Sequence, residues 1–412
     1  MVERLMAGYL DDKSKEKCYG CEACVQACPK NALSIKEDEE GFRYPVLNSE
    51  LCIHCKLCNK VCPYENMPFR YANNKYVFGG FAKDESIRFE STSGGAFSAI
   101  VSSFCDDNYV IFGAEANGLL VSHSYITDKR DVFKFRKSKY SQSIIGKSYQ
   151  QVSQFLSSGK KVLFSGTPCQ IAGLRSFLRN SNQDNLLTVE VICEGVPSPL
   201  YIRKYEQSIV QKLGAYIEEL DYRYKGKALF GKAKWDFEVM KTVAIIKKTN
   251  KKVVCEKDRW FNPFWSIWLN HLMSRPSCYK CSFATSERVA DISLGDLWGV
   301  HIYCPELYGN NGGSSLVIAN TEKGKFVLQA AESHMYGHEL VFEEALKYQS
   351  PMRKHIAMNP KREQFMQDLQ SDISYEEINK KWAIKPTLQL LYQKYVWGNR
   401  QRVWFWNMFN KK

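Results

Sequence analysis

Residues 18–29 read CYGCEACVQACP and residues 52–63 read CIHCKLCNKVCP. Both are C-x2-C-x2-C-x3-C-P, the bacterial ferredoxin run in which the fourth cysteine of each copy ligates the cluster built on the other. The spacing therefore predicts two 4Fe–4S clusters, one on Cys18, Cys21, Cys24 and Cys62, the other on Cys52, Cys55, Cys58 and Cys28. Three thiolates two residues apart wrap a cube and turn backbone N–H groups toward its sulfides. The proline after the fourth cysteine ends the wrap because it has no N–H to donate. Zinc sites usually draw their ligands in pairs, not in triplets with a distant fourth. Between the runs, NALSIKEDEEGFRYPVLN alternates like a strand and then becomes turn-rich, setting the runs further apart than in the smallest ferredoxins.

The 412 residues are 44% hydrophobic and 25% charged. That is enough apolar chain for two or three domains with cores of their own. No apolar run reaches the roughly 18 residues of a membrane-crossing helix. The first residues, MVERLMAGYLDDKSKEKCYG, have no apolar stretch of signal-peptide length, so a cytoplasmic protein is expected. In such a chain, fifteen cysteines with tight spacing point to metal rather than disulfides. Twelve fall in motif-like settings; Cys105, Cys255 and Cys304 do not and read as incidental. The net charge of +13 favours phosphate-bearing cofactors, anionic lipid or acidic partner proteins. Without an RNA-binding or helix-turn-helix signature, nucleic acid is not an expected partner.

Beyond residue 72, short β-rich runs alternate with amphipathic helices. The predicted strands are 76–82, 110–114, 121–127, 161–166 and 186–193. Helices are expected at 94–105 and 149–157, and from Cys169 and Pro199. This is the pattern of a mixed α/β body. Residues 216–256 look antiparallel, with a hairpin around Thr249 and Asn250. The overall class is α+β: a bacterial-ferredoxin-like domain over 1–72, a mixed α/β body over 73–340 and a helical C-terminal region over 341–412.

Several motifs in the body look chemical. STSGGAF (91–97) is a Gly-Gly turn opening a helix, whose free N–H groups suit a phosphate. RKSKYSQS (136–143) is basic and hydroxyl-rich. SGTPCQIAGL (165–174) puts Ser165, Gly166 and Thr167 between a strand and a helix, a place where α/β domains hold cofactor phosphates. It also sets Cys169 at a helix N-terminus, where the macrodipole favours thiolate. Cys193, Cys278 and Cys281 complete a set of four body cysteines. Four thiolates suit a further 4Fe–4S cluster; a zinc site, or a redox dithiol at Cys278 and Cys281, are the competing readings.

In order, STSGG, RKSKYSQS, GTPCQIAGL, CEGVPSP, RPSCYKC, ADISLGDLWG and GGSSLVIANT resemble the coenzyme F420 hydrogenase/dehydrogenase beta-subunit family, over about residues 76–335. A ferredoxin segment in front is a common fusion in that family. The resemblance implies FAD in the body beside a third 4Fe–4S cluster on Cys169, Cys193, Cys278 and Cys281. It implies flavin contacts by Ser93, Gly94, Gly95, Lys139, Tyr140, Ser141, Gln142, Gly166, Thr167 and Pro168. Glu194 stands where the family often has His, and residues 223–239 also depart from its pattern.

Clusters pass single electrons and a flavin exchanges one or two, which suits conversion between ferredoxin-type electrons and a hydride-type reaction. The expected function is an iron–sulfur flavoprotein oxidoreductase working with F420 or another small-molecule acceptor and with a redox partner such as ferredoxin or a dehydrogenase subunit. The alternative is a non-catalytic electron-transfer subunit. No catalytic residue is assigned. The tail, residues 385–412, has six Lys/Arg, no Asp/Glu and seven aromatics. It reads as a last helix packed on the body with a basic outer face, with peripheral membrane contact as the competing reading.

Overall fold

The computed structural model describes residues 8–72, 75–106, 108–226, 235–308 and 311–409. Residues 227–234 of the divergent 223–239 stretch, and the last three residues of the tail, lie outside them.

The segment between the two cysteine runs folds as a hairpin of β1 (Leu33–Glu37) and β2 (Arg43–Leu47). Its second half is thus a strand, where the sequence suggested a turn-rich stretch. The turn is confined to five residues because the Asp38 carboxylate accepts the N–H groups of Glu40 and Phe42, at 3.1 and 2.8 Å.

The body is built on one eight-stranded mixed sheet. Its strands are β3 (Tyr76–Ala82), β4 (Tyr109–Asn117), β5 (Leu120–Ile126), β6 (Lys161–Gly166), β7 (Leu186–Val191), β11 (Ile292–Asp296), β12 (Ser315–Ala319) and β13 (Met335–Glu339). The order is β13-β3-β12-β11-β7-β6-β4-β5, and the four central strands β11, β7, β6 and β4 run parallel. A separate three-stranded sheet holds β8 (Ala215–Tyr224), β9 (Val239–Ile246) and β10 (Lys252–Lys257), all antiparallel. The expected hairpin is β9–β10, and Asn250 takes the left-handed backbone its turn needs (φ 52°).

The central strands are largely buried because both faces of the sheet are covered, and their apolar residues dominate in β4, β6 and β7. Their residues alternate between two cores. Val110, Phe112, Val162 and Phe164 face one core, with the helices Ser148–Ser157 and Pro168–Phe177. Ile111, Leu163, Leu187 and Val189 face the other, with the helices Ala96–Phe104 and Glu322–Ala331. The first core also contains Tyr19, Cys21, Ala23 and Val61, so the ferredoxin segment packs directly into the body. Gly173 allows this approach: a Cβ there would lie 3.0 Å from Cys21 Cβ and 3.1 Å from its Sγ.

The tail differs from expectation. Its last helix, Asn399–Phe409, is anchored through Val403, which joins a body core, while Trp404, Phe405, Met408 and Phe409 are 52 to 70% exposed. Its outer face is therefore aromatic as well as basic. A helix without acidic residues gains nothing from the positively charged body, and among its described residues Val403 is the buried apolar position.

β7 and the chain that leads into β11 are tied by a buried ion pair. Glu190 and Arg288 are fully buried and hydrogen-bonded to each other. Ser293 donates to the same carboxylate at 2.7 Å. Arg288 also donates to the carbonyls of Phe283 and Thr285, at 3.0 and 2.9 Å. Removing one partner of a buried pair strands the other charge, at about 3–5 kcal/mol. Glu190→Ala is therefore expected to lose about 3–5 kcal/mol of stability, read from the urea unfolding midpoint, with Ser293→Ala well below that.

Candidate functional site

The two ferredoxin runs fold alike. The residue before the second cysteine of each run (Gly20, φ 70°; His54, φ 53°) and the residue after it (Glu22, φ 60°; Lys56, φ 59°) adopt left-handed backbone. Such turns aim successive N–H groups into one concavity, a nest suited to an anionic group. The cysteine spacing alone did not announce them, because three of the four residues are not glycine.

The cysteines line three separate cavities. Cys18, Cys21, Cys24 and Cys62 line the first, together with Tyr19 and Gly20. Cys28, Cys52, Cys55 and Cys58 line the second. Each cavity thus takes three cysteines from one run and the fourth from the other. The second cavity lies outward: Cys55 is exposed, and beside it Leu51 and Ile53 are 50 and 57% exposed.

Cys169, Cys193, Cys278 and Cys281 line the third cavity, with Thr167, Pro168, Glu194 and Arg275. Cys169 and Cys193 follow the carboxyl ends of the adjacent parallel strands β6 and β7, where open α/β sheets present their binding groups. Cys278 and Cys281 come from the short helix Pro276–Lys280 and the residue after it. Among the described residues, no three His, Cys, Asp or Glu side chains converge closely enough for a single metal ion. The four thiols surround a shared space instead. Pro351, Lys354, His355 and Ile356 close its outer side; the sequence carries no sign of this, since that segment lies about 70 residues beyond Cys281.

The Cys169 thiol departs from the helix-dipole expectation. Burial pushes it up to about 11, with Thr167 lowering it only in part through a contact of 3.1 Å. Burial likewise pushes Cys278 up to about 12. Desolvation disfavours the anion more strongly than one helix terminus favours it. The strand–helix loop at 165–167 is also less free than expected: Ser165 donates to Phe112 O at 3.0 Å, and the Thr167 N–H donates to Gln170 Oε1 at 2.9 Å.

The residues implied as flavin contacts lie in three places. Thr167 and Pro168 line the third cavity, and Gly166 precedes them. Gln142 binds the ferredoxin segment: its amide donates to Tyr19 O at 2.9 Å and Gly20 O at 3.2 Å, with Ser141 half-buried beside it. The third place brings two motifs together. Ser138 N–H donates to Thr92 Oγ1 at 2.7 Å, joining Lys139 and Tyr140 to Ser93, Gly94 and Gly95.

This third region is rich in buried cations. Lys225 donates to the carbonyls of Arg88, Ser93 and Gly312. Burial pushes Lys139 down to about 7 and Arg88 down to about 10. Arg223 pairs with Asp296 at 2.9 Å and Glu238 at 3.5 Å and reaches Tyr140 Oη at 3.3 Å, while its buried Nε and Nη2 make no hydrogen bond. Tyr140 itself sits among Tyr222, Trp265 and Trp268.

Residues 159–340 match the family described as the C terminus of the coenzyme F420 hydrogenase/dehydrogenase beta subunit, and residues 17–66 match the 4Fe–4S dicluster domain. An uncharacterized ferredoxin of Methanocaldococcus jannaschii is 43% identical over 49 residues, 12% of this chain and 62% of its own length. Hydrogenase-4 component A of Escherichia coli is 47% identical over 49 residues, 11% of this chain and 22% of its own. Ferredoxin-3 of a Nostoc species is 30% identical over 69 residues, 13% of this chain and 71% of its own. The chain thus spans less than two thirds of the first two relatives. A chain of the F420-reducing nickel–iron hydrogenase complex from Methanosarcina barkeri is 16% identical with a TM-score of 0.41, covering 76% of this chain and 94% of that one.

Gly20 tests the nest and the packing around it. A Cβ at Gly20 would lie 2.4 Å from Gln142 Nε2 and 3.0 Å from the Arg275 guanidinium. Gly20→Ala is expected to cost about 1–3 kcal/mol from strain and displacement, measured by thermal unfolding. His54→Ala, at the matching but exposed position, stays within about 0.5 kcal/mol.

Proposed function

We propose, from the premise that the chain belongs to the coenzyme F420 hydrogenase/dehydrogenase beta-subunit family over residues 159–340 and carries a 4Fe–4S dicluster domain over 17–66, that it is an iron–sulfur flavoprotein oxidoreductase with three 4Fe–4S clusters and one FAD. Cys18, Cys21, Cys24 and Cys62 hold the inner ferredoxin cluster, and Cys28, Cys52, Cys55 and Cys58 the outer one. Cys169, Cys193, Cys278 and Cys281 hold the third. The observation that carries this reading is the division of twelve of the fifteen cysteines into three cavities of four. Four thiolates around a shared space are the ligand set of a 4Fe–4S cluster.

A flavin, when bound, supplies the exchange between single electrons and a hydride-type reaction with a small organic acceptor. The residues around Ser93 and Lys139 fit its diphosphate. Arg223 is held by Asp296 and Glu238, yet its buried Nε and Nη2 have no hydrogen-bond partner, and the acceptor oxygens of a diphosphate suit them. Such an anion also restores the charge that burial takes from Lys139. Electrons enter from a redox partner protein at the outer cavity, where exposed Leu51 and Ile53 flank Cys52 and Cys55. The tail adds a further contact. The ridge of Leu388, Tyr392 and Val396, exposed at i, i+4 and i+8, and the aromatic face of the last helix suit the surface of an anionic membrane.

Protein purified without oxygen is expected to contain about twelve iron and one FAD per chain. Cys278→Ser removes about four of those iron atoms and leaves the ferredoxin pair; Arg223→Met lowers flavin occupancy at full iron content. About eight iron and no flavin in the wild type would refute the flavoenzyme reading. For the tail, co-sedimentation with phosphatidylglycerol vesicles is expected to exceed that with phosphatidylcholine. It should fall at least tenfold in Trp404→Ser/Phe405→Ser and weaken as salt rises; equal binding to both lipids would rule the membrane role out.

A further inference from the structure

The first and third cysteine cavities are joined by two short bridges, and both use residues that are not themselves cysteine ligands. Tyr19, covalently next to Cys18, lines both cavities. Its hydroxyl donates to Ser282 Oγ at 3.0 Å, and Ser282 is covalently next to Cys281. The second bridge is Arg275. Its main-chain carbonyl accepts the Cys278 N–H at 2.9 Å. The residue lines the third cavity, and its side chain reaches Cys18 of the first, where Nη2 donates to Cys18 Sγ at 3.5 Å and Nε donates to Cys18 O at 2.9 Å.

The Arg275 guanidinium is 1% exposed. Its remaining N–H groups donate to Gln142 Oε1 at 2.9 Å and Arg43 O at 3.0 Å, and it stacks 4.3 Å above the Tyr44 ring. No carboxylate pairs with it among the described residues. Two buried acids of the ferredoxin segment are engaged elsewhere: Glu40 with Arg362 at 2.7 Å, and Glu22 with Arg43 at 3.2 Å. A buried cation without a carboxylate is costly unless another anion faces it. With clusters bound, the anions on either side of this one would be the ligand thiolates of the two cysteine quartets.

We propose that Arg275 is a positioning and tuning residue for electron transfer, which holds the first cysteine site against the third and raises the reduction potential of the Cys18 site through its charge and its hydrogen bond to sulfur. This rests on the three-cluster reading above. A hydrogen bond to a ligand sulfur, and a nearby positive charge, each favour the state that carries the extra electron. Placed between two anionic sites, the same charge lessens the penalty that an electron on one imposes on the other. One electron crosses, the donor side being oxidised and the acceptor side reduced; Arg275 and Tyr19 keep their protons and no bond is made or broken. Tyr19 lines both the first and third cavities, while the second shares no lining residue with the third and is tied to the first through the two cysteine runs, so the order of sites is outer ferredoxin, inner ferredoxin, body.

The test is a potentiometric titration followed by electron paramagnetic resonance, on whole protein with its clusters in place. Arg275→Gln is expected to make reduction of the Cys18 site at least tenfold less favourable, a drop of about 59 mV for one electron. The outer site on Cys52, Cys55 and Cys58 stays unshifted, and Arg275→Lys recovers most of the change. Unchanged potentials in Arg275→Gln at full iron content would overturn the inference, as would an equal shift at all three sites. Should Arg275→Gln lose iron, wild-type protein grown on isotope-labelled arginine decides: a nitrogen coupling to the reduced Cys18 signal is expected, and its absence refutes the contact. A wild type with only about eight iron overturns the three-cluster reading itself, and this inference with it, a failure distinct from full iron with unshifted potentials.

Discussion

The buried pair of Glu190 and Arg288 is the interaction on which the body site depends. Glu190 lies on β7, two residues before the chain leaves the sheet toward Cys193. Arg288 holds the carbonyls of Phe283 and Thr285, in the loop that follows Cys281. One ion pair therefore sets the distance between segments about ninety residues apart that must present their thiols to the same cavity. Both groups lie deep in the protein, where unpaired charge is prohibitive. The arrangement has little room to drift, and a cofactor site needs that rigidity.

A second layer of polar contacts fixes the ferredoxin segment to the body. Gln26 accepts the N–H of Tyr149 at 3.0 Å, Glu22 accepts that of Gly146 at 3.1 Å, and Glu40 is bidentate to Arg362 at 3.0 and 2.7 Å. Arg362 in turn donates to Ser274 O, steadying the residue just before Arg275. Apolar packing of Tyr19, Cys21 and Val61 against Phe164 and Ile171 would allow the segment to slide. Directional hydrogen bonds at buried positions do not, since each misplaced group would be left unsatisfied. Domain docking here thus orients the inner cavity toward the body as well as burying area.

Function follows from this alignment. The outer cavity opens beside exposed Leu51, Ile53 and Cys55, the inner one is walled by the body, and the body cavity sits at the carboxyl ends of two parallel strands. Of the twelve cysteines that line them, Cys55 of the outer cavity is exposed, Cys21 of the inner one is buried and the other ten are half-buried. The cation-rich region around Arg88, Lys139, Arg223 and Lys225 is joined to the sheet through the start of β12 by the Ser93 hydroxyl, which donates to Ser314 O at 2.5 Å, and by the Gly94 N–H, which donates to Ser315 Oγ at 2.9 Å.

The ferredoxin half was legible in the sequence because its candidate ligands are local. Three cysteines within seven residues, with a proline closing the run, leave little freedom for any other arrangement. The body strands were legible for a similar reason: apolar runs between turn residues report burial on both faces of a sheet. The meeting of Cys169, Cys193, Cys278 and Cys281 was of another kind. Their proximity depends on β6 and β7 being neighbours and on the Glu190–Arg288 pair, neither of which has a local signature. The same holds for Arg275: it opens the RPSCYKC motif, but nothing local says that the fold buries it against Cys18. Local chemistry and spacing thus determined the kinds of site this chain can build. Only the tertiary structure decided which sites touch and what lies between them, because contacts between distant segments are set by the packing of the whole sheet.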